Sequence, residues 1–313
     1  MLRSYPEAEE PWSGAIWLDL CEPTDEERAR VAQATGLRIP DKTAISEIET
    51  SSRVYIENGA MYLSAPLPAA PNGTESLSAV GFVLTRRVLI SVRLARNQVF
   101  DQLFDGCQSA ASVSACDLFL RILEAVVDRA ADVLERCSAD LDSLSHTAFH
   151  SEVTRRRQVQ RISDRLRATL RKLGQIGDHT SQIRDTLLGF GRIAAFVCES
   201  GNTVLSPEEL PRLKAVRADI ASLNDYQQHL SGKVQFLLDA TLGFISIEQN
   251  DVVKTLTIVS VVGVPPVLVA GIYGMNFAHM PELQWTFGYP FALALMVVTG
   301  LLPLAWFKWR GWM

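Results

Sequence analysis

"TLTIVSVVGVPPVLVAGIYGMNF", residues 255–277, decides how the rest of the chain is read. It contains no Asp, Glu, Lys or Arg, and the uncharged run continues to Pro281. After Glu282 a second uncharged stretch covers residues 283–307. Two spans fit inside these stretches, 255–276 and 289–307, each near the roughly 20 apolar residues that cross a bilayer core. Averaged over 313 residues, 48% hydrophobic and 21% charged content describes a soluble protein, but the average conceals the uneven placement. The pattern predicts a soluble body with a membrane tail. Buried core helices would need a large surrounding domain, and six residues follow Phe307.

Lys254, Lys308 and Arg310 flank the outer edges of the two spans, while the loop between them has no Lys or Arg. The positive-inside rule then places both termini in the cytoplasm of a multi-pass protein of the cell (inner) membrane. Trp306, Trp309 and Trp312 fall where an interfacial aromatic belt is expected. The N-terminal "MLRSYPEAEEPW" is acidic and lacks an apolar core, so it does not read as a secretory signal. Five scattered cysteines form no CxxC and read as reduced, mostly buried thiols. The basic run "TRRRQVQRISDRLRATLRK" has no interleaved aromatics and sits in a chain of net charge -5, so it reads as a solvated helix face and not as a nucleic-acid site.

Upstream, residues 1–110 read as a small α/β domain. "GAIWLDL" is a strand, "SRVYIENGAMYLSAPL" a hairpin turning at Asn58-Gly59, and "LSAVGFVLTRRVLISVRLA" a hairpin turning at Arg86-Arg87. Thr24 and Glu27 form a capping box for a helix that Gly36 stops. Residues 111–205 read as a helical hairpin region, with one helix from about Val113, another from about Glu152 to Gly174, and a third over "SQIRDTLLGFGRIAAFVCES". In "SPEEL" Ser206 caps, Pro207 takes the first helical position and Glu209 completes the box. Pro211 blurs the exact start, and from Arg212 no breaker stronger than a single Gly occurs until Pro265. A helix from Arg212 to Gly274 would measure about 95 Å at 1.5 Å per residue. Such a helix suits a stalk packed against copies of itself.

Asn250, Val253, Leu256, Ser260, Val264, Val267, Gly271 and Gly274 recur at close to the 3.5-residue repeat of a left-handed bundle. One face of the first span can therefore line an axis. Two membrane helices cannot enclose an aqueous path, so a pore requires several subunits. The other reading of the same small residues is close helix packing, and the spacing fits both.

The stretch 255–296 and the tail "FKWRGWM" resemble the CorA family of two-helix divalent-cation channels. Tyr273-Gly274-Met275-Asn276, the loop Met280-Pro281-Glu282-Leu283, "GYP" at Gly288 to Pro290 and the basic tail 308–313 carry the resemblance in order. It implies an α+β cytoplasmic domain, a stalk in 206–254, a pore-lining transmembrane helix in 255–277, an external loop in 278–288 and a second transmembrane helix in 289–307. It also implies a funnel-shaped homopentamer embedded in lipid, with Mg2+ as usual substrate and Co2+ and Ni2+ often accepted. Gly274, Met275 and Asn276 become a selectivity filter that holds a hydrated ion, and Val253 with Leu256 an apolar constriction. Asp239 falls on a family acid at the cytoplasmic mouth, and Glu248 and Asp251 could raise local cation concentration; a solvated stalk face explains these acids equally well. No cofactor is implied beyond the transported and regulatory ion, and no nucleophile with a base and no GxxxxGK[ST] points to an enzyme.

Three features depart from the pattern or lie outside it. Where the family has Pro-Leu-Thr-Phe, this chain has Pro265-Pro266-Val267-Leu268, losing a pore hydroxyl and gaining a second proline. The tail holds only Lys308 and Arg310. His146 and His150 share a helix face and could chelate Zn2+; two exposed histidines without a third ligand are the plainer expectation, with zinc kept open as substrate or regulator. The zinc-associated ZntB branch of the superfamily usually replaces the Met of Gly-Met-Asn and lacks the Met-Pro-Glu-Leu loop.

Overall fold

The computed structural model describes residues 1–12, 14–47, 53–68, 77–107, 113–150, 159–200, 204–275, 280–281 and 285–312. They divide into two compact units, Met1–Gln158 with Arg167–Leu238, and Val159–Leu166 with Asp239–Met313.

The first unit is built on a six-stranded sheet. Its strands are β1 (Leu2–Tyr5), β2 (Trp17–Cys21), β3 (Val54–Glu57), β4 (Ala60–Pro68), β5 (Leu77–Leu84) and β6 (Leu89–Arg93), in spatial order β1-β2-β6-β5-β4-β3. Only β2 and β6 pair in parallel, with Trp17 opposite Leu89 and Cys21 opposite Arg93. The two expected hairpins are present. Asn58 and Gly59 both take positive φ, 50° and 76°, as a two-residue turn between right-twisted strands requires. At Arg86-Arg87 the Thr85 amide donates to Val88 O at 3.0 Å.

Side chains alternate across the strands. On β4 and β5, Met61, Leu63, Ala65, Val80, Phe82 and Leu84 enter one core, while Ala60, Tyr62 and Val83 enter the other. Both faces are covered, which is why these strands read as nearly unbroken apolar runs. The smaller core lies under α1 (Asp25–Thr35) and α2 (Lys42–Ser46), which contribute Val31 and Ile45. The Thr24–Glu27 capping box closes α1 in both directions, and Gly36 ends it at φ 68°. The larger core joins the sheet to α3 (Gln98–Cys107), α4 (Ala115–His150), α5 (Val159–Ser200) and the start of α6 (Glu209–Tyr273). Phe82 sits at its centre, with ring centroids 5.6 Å from Phe119 and 6.4 Å from Phe190.

Two strand residues, Asp19 and Arg93, are buried with their charges. Asp19 is fully enclosed, and it accepts two hydrogen bonds from Arg93 at 3.0 and 2.6 Å, one from Ser91 at 2.7 Å and one from Arg3 at 3.0 Å. A buried carboxylate is tolerated when its oxygens are satisfied in this way. Loss of water pulls the Arg93 pKa down, but the hydrogen bonds and charge of Asp19, helped by Cys21 and Asp101, outweigh it and hold the guanidinium above its usual value.

Three expectations change. The sequence reading missed β1, α2 and α3. Residues 159–200 form one helix, not a helix ending at Gly174 and another starting near 181. Each glycine costs only about 1 kcal/mol in a helix, and Leu173, Ile176, Ile183, Leu187, Phe190 and Ile193 bury one continuous face across the gap. Residues 152–158, at the expected start, lie outside the described residues. The Ser206 cap forms by half, because Glu209 Oε2 accepts from the Ser206 amide at 2.8 Å while α6 begins only at Glu209.

Within the first unit α6 is clamped to α4 by Arg212, which donates to Asp117 at 2.6 Å and to Glu124 at 2.7 and 3.0 Å. Those hydrogen bonds raise the Arg212 pKa. The helix continues without interruption through Pro265 and Pro266 to Tyr273. The last helix, α7 (Gly288–Trp309), carries Pro303.

Candidate ion pathway

The end of α6 and all of α7 are long and apolar enough to cross a membrane, with 18-residue windows of mean hydropathy 2.1 and 2.0. Only 6% and 11% of those windows are buried, so neither is the core helix of a soluble domain.

The apolar part of α6 has two different faces. Ile258, Val262, Pro265, Pro266, Val269 and Tyr273 are half-buried and recur at helical spacing. On this face a β-carbon placed at Gly300 of α7 would lie 3.3 Å from Pro266 Cγ and 3.9 Å from Val262 O, so the helices approach closely here. Prolines are tolerated at such depth because neighbouring elements take over the freed backbone groups.

The eight positions expected to line an axis are all exposed: Asn250, Val253, Leu256, Ser260, Val264, Val267, Gly271 and Gly274. Val253, Leu256, Val264 and Val267 are 61%, 65%, 60% and 71% exposed. At 3.6 residues per turn this set centres on the side of α6 opposite the half-buried set. Pro266 belongs to the face toward α7, and Val267 to the open face.

Past Tyr273 the last turn closes through Gly274 N to Ala270 O at 2.9 Å and Met275 N to Ile272 O at 3.2 Å. The carbonyl end of the helix, with its partial negative charge, is therefore at Gly274 and Met275. Asn276, Glu282 and Leu283 lie outside the described residues, while Met280 is half-buried and Pro281 exposed. Among the acids, Asp239 is exposed and by helical register shares the side of the open face. Glu248, half-buried, and Asp251, exposed, fall on other sides of α6.

At the opposite end of the span, Lys254 Nζ lies 5.7 Å from the centroid of the Trp312 ring, and Arg310 stands 5.4 Å from that of Trp306. Phe307 stacks on Trp312 at 5.4 Å. Cations and amphipathic rings thus gather where the apolar stretches of both helices end, the arrangement expected at a membrane interface. The sequence reading placed these residues at the interface but missed the contacts between them.

His146 is exposed on α4, and the side chain of His150 lies outside the described ones. Among the described residues, no group of three or more His, Cys, Asp or Glu could hold a metal ion. None of the five cysteines is in a disulfide among the described residues, and four are buried.

A sheet-and-helix body, one helix continuing from it as an apolar span, and a second apolar helix define a two-span membrane protein with a soluble domain. The chain belongs to the family of CorA-like Mg2+ transporter proteins, whose pattern matches residues 12–309. It is 32% identical to the magnesium transport protein CorA of Escherichia coli over 322 residues, covering all of this chain and 96% of that protein. The fold is similar to the complete CorA magnesium transporter from Methanocaldococcus jannaschii, with TM-score 0.74 and 18% identity over 95% of this chain and 91% of the other. A more limited likeness, TM-score 0.56 at 12% identity, links it to the cytoplasmic domain of ZntB from Vibrio parahaemolyticus, over 74% of this chain and 87% of that domain. The family is one of transporters and not of enzymes.

Proposed function

We propose that the chain assembles as a homopentameric channel that admits Mg2+, and accepts Co2+ and Ni2+, along the open face of α6. The observation that carries this reading is the separation of the two faces. α7 meets one side of the apolar helix, and the opposite side, with all eight expected pore positions, is left uncovered in the single chain. In an aqueous pore that side would face the axis, with residues 1–254 and the tail 308–313 in the cytoplasm and 278–288 outside.

The chemistry follows from the helix end and from the ion. Mg2+ gives up its waters reluctantly. A ring of neutral carboxamides from Asn276, with the carbonyl ends of the helices at Gly274 and Met275, would hold the hydrated ion through its water. Each helix end carries roughly half a negative charge, enough to favour a cation without the tight binding of a carboxylate ring. Conduction requires that weakness. Inward movement gains about 4.6 kcal/mol per 100 mV for a divalent ion, so no nucleotide hydrolysis is needed. Val253 and Leu256 would form the apolar constriction, and Asp239 a cation-attracting mouth below it.

A second reading, a poorly conducting regulator of the same fold, draws on Val267, which puts two methyl groups on the open face where the family pattern has a hydroxyl. Pro266 adds little to it, because it belongs to the face toward α7. The test is Mg2+ entry into dye-loaded proteoliposomes under an inside-negative potential, with wild type and Asn276→Ala compared. Robust wild-type flux, lost in the variant, supports the channel. An intact pentamer inert to Mg2+, Co2+ and Zn2+ would favour the regulator, and Zn2+ entry alone would favour the ZntB-like branch.

A further inference from the structure

The first unit holds a cavity of about 450 Å3 between α4 and α5, beside the end of β4. Its floor is apolar, formed by Val126 and Ala130 of α4 and Ile176 and Ile183 of α5, all buried. Its rim is cationic. Arg129 and Arg136 stand about two turns apart on α4, and Lys172 lines the cavity from α5. Asp140 is the only carboxylate among its described lining residues.

These cations differ from those that the unit pairs with carboxylates. Arg3, Arg93 and Arg212 are each engaged by carboxylates. Arg129 and Lys172 have no hydrogen-bond or ion-pair partner among the described residues. Arg136 donates only through Nε, to Asp132 O of its own helix at 3.2 Å, which leaves its two terminal nitrogens uncommitted among the described residues. In a chain of net charge -5, three cations with no carboxylate partner among the described residues, set around an apolar floor, concentrate positive potential at one concave place. The volume falls within the roughly 300–1,000 Å3 of small-molecule sites. Guanidinium forks match phosphate oxygens two at a time, and Lys adds a point charge.

We propose that this cavity binds a small organic phosphate, its phosphate held by Arg129, Arg136 and Lys172 and its ring or chain laid on the Val126, Ala130 and Ile176 floor. The site is independent of whether the chain conducts Mg2+. Its test is calorimetric titration of the full-length protein in detergent, in Mg2+-free buffer, with AMP, phenyl phosphate, adenosine and inorganic phosphate. Arg129→Gln combined with Lys172→Gln is titrated in parallel, and its thermal midpoint is compared with wild type to establish that it folds. The expected result is saturable binding of AMP or phenyl phosphate that weakens with added salt, and an affinity at least about tenfold lower in the double variant, since hydrogen bonds to charged groups are lost. Adenosine should bind far more weakly. Neither organic phosphate binding at millimolar concentration, or binding unchanged in the folded double variant, overturns the proposal. Inorganic phosphate binding as tightly as the organic phosphates removes the role of the floor and overturns it as well.

Discussion

Gly300 of α7 and Pro266 of α6 meet so closely that a single added methyl group would sit 3.3 Å from the proline ring. Proline has no N–H to offer the carbonyl four residues back, which here is Val262 O, and that carbonyl also borders Gly300. Small residues let membrane helices approach in this way. Even a β-carbon there requires the proline ring to give by a few tenths of an ångström, and a larger side chain adds to the crowding. Gly300→Leu should cost about 1–3 kcal/mol, the usual range for overpacking. A lower thermal midpoint in detergent is the expected readout, and an unchanged midpoint would mean that the contact is not maintained.

Gly189 of α5 makes the corresponding approach in the soluble unit. A β-carbon there would lie 2.6 Å from Pro66 Cδ and 3.0 Å from Ala65 Cβ, both on β4. Neither a proline ring nor a strand can yield far, so Gly189→Ala should destabilise by about 1–3 kcal/mol. Gly174→Ala on the same helix meets nothing within 4 Å and should gain up to about 1 kcal/mol from helix propensity. Thermal midpoints of the two variants should therefore move in opposite directions. Equal shifts would contradict the contact at β4.

Much of this architecture is local and could be read from the chain. The charge-free spans mark the membrane helices, the positive φ needed at Asn58 and Gly59 marks a hairpin, and Thr24 with Glu27 marks a helix start. The exposed face of α6 was legible because a repeat near 3.5 marks one side of a helix in the sequence whatever that side meets. What was missed depends on distant contacts. β1 has four half-buried residues and gains its partner only from β2, 15 or so positions on. The buried charge of Asp19 is balanced by Arg93, which no local pattern links to it. Gly174 read as a helix end because propensity was weighed without the burial that carries α5 past it. The Gly300–Pro266 contact left no signal beyond a glycine in the middle of an apolar span.

Burial shields one thiol near the joint of α4 and α6. Desolvation pushes Cys116 from an ordinary value of 9.0 up to about 12, with Glu209 adding to the shift and Arg86 opposing it. The thiol also donates to Val204 O at 3.3 Å. The folded state thus favours the neutral thiol. The resulting stability is fully present below pH 9 and is lost as pH rises from there through about 12. The fall of the thermal midpoint with pH above 9 should be shallower in Cys116→Ala than in wild type. At pH 8 iodoacetamide should label half-exposed Cys198 and spare Cys116; peptide mass spectrometry reads the two rates, and comparable labelling would contradict the burial.

The open face of α6 gives the sharpest contrast within one helix. Leu256 is 65% exposed on that face, and Ile258, two residues on, is half-buried on the side that meets α7. If five copies converge on the open face, the ring of five Leu256 side chains excludes water from the axis and holds the pore shut by dewetting. Leu256→Asn then puts hydrogen-bonding groups into that constriction, and resting Mg2+ entry into proteoliposomes should rise several-fold with the thermal midpoint little changed. Ile258→Asn instead places a carboxamide between two apolar helices of one chain, at a cost of about 1–3 kcal/mol for a poorly paired polar group, so the midpoint should fall without a rise in leak. Leak from Ile258→Asn and none from Leu256→Asn would put the axis on the wrong side of the helix and overturn the assignment of the pore face.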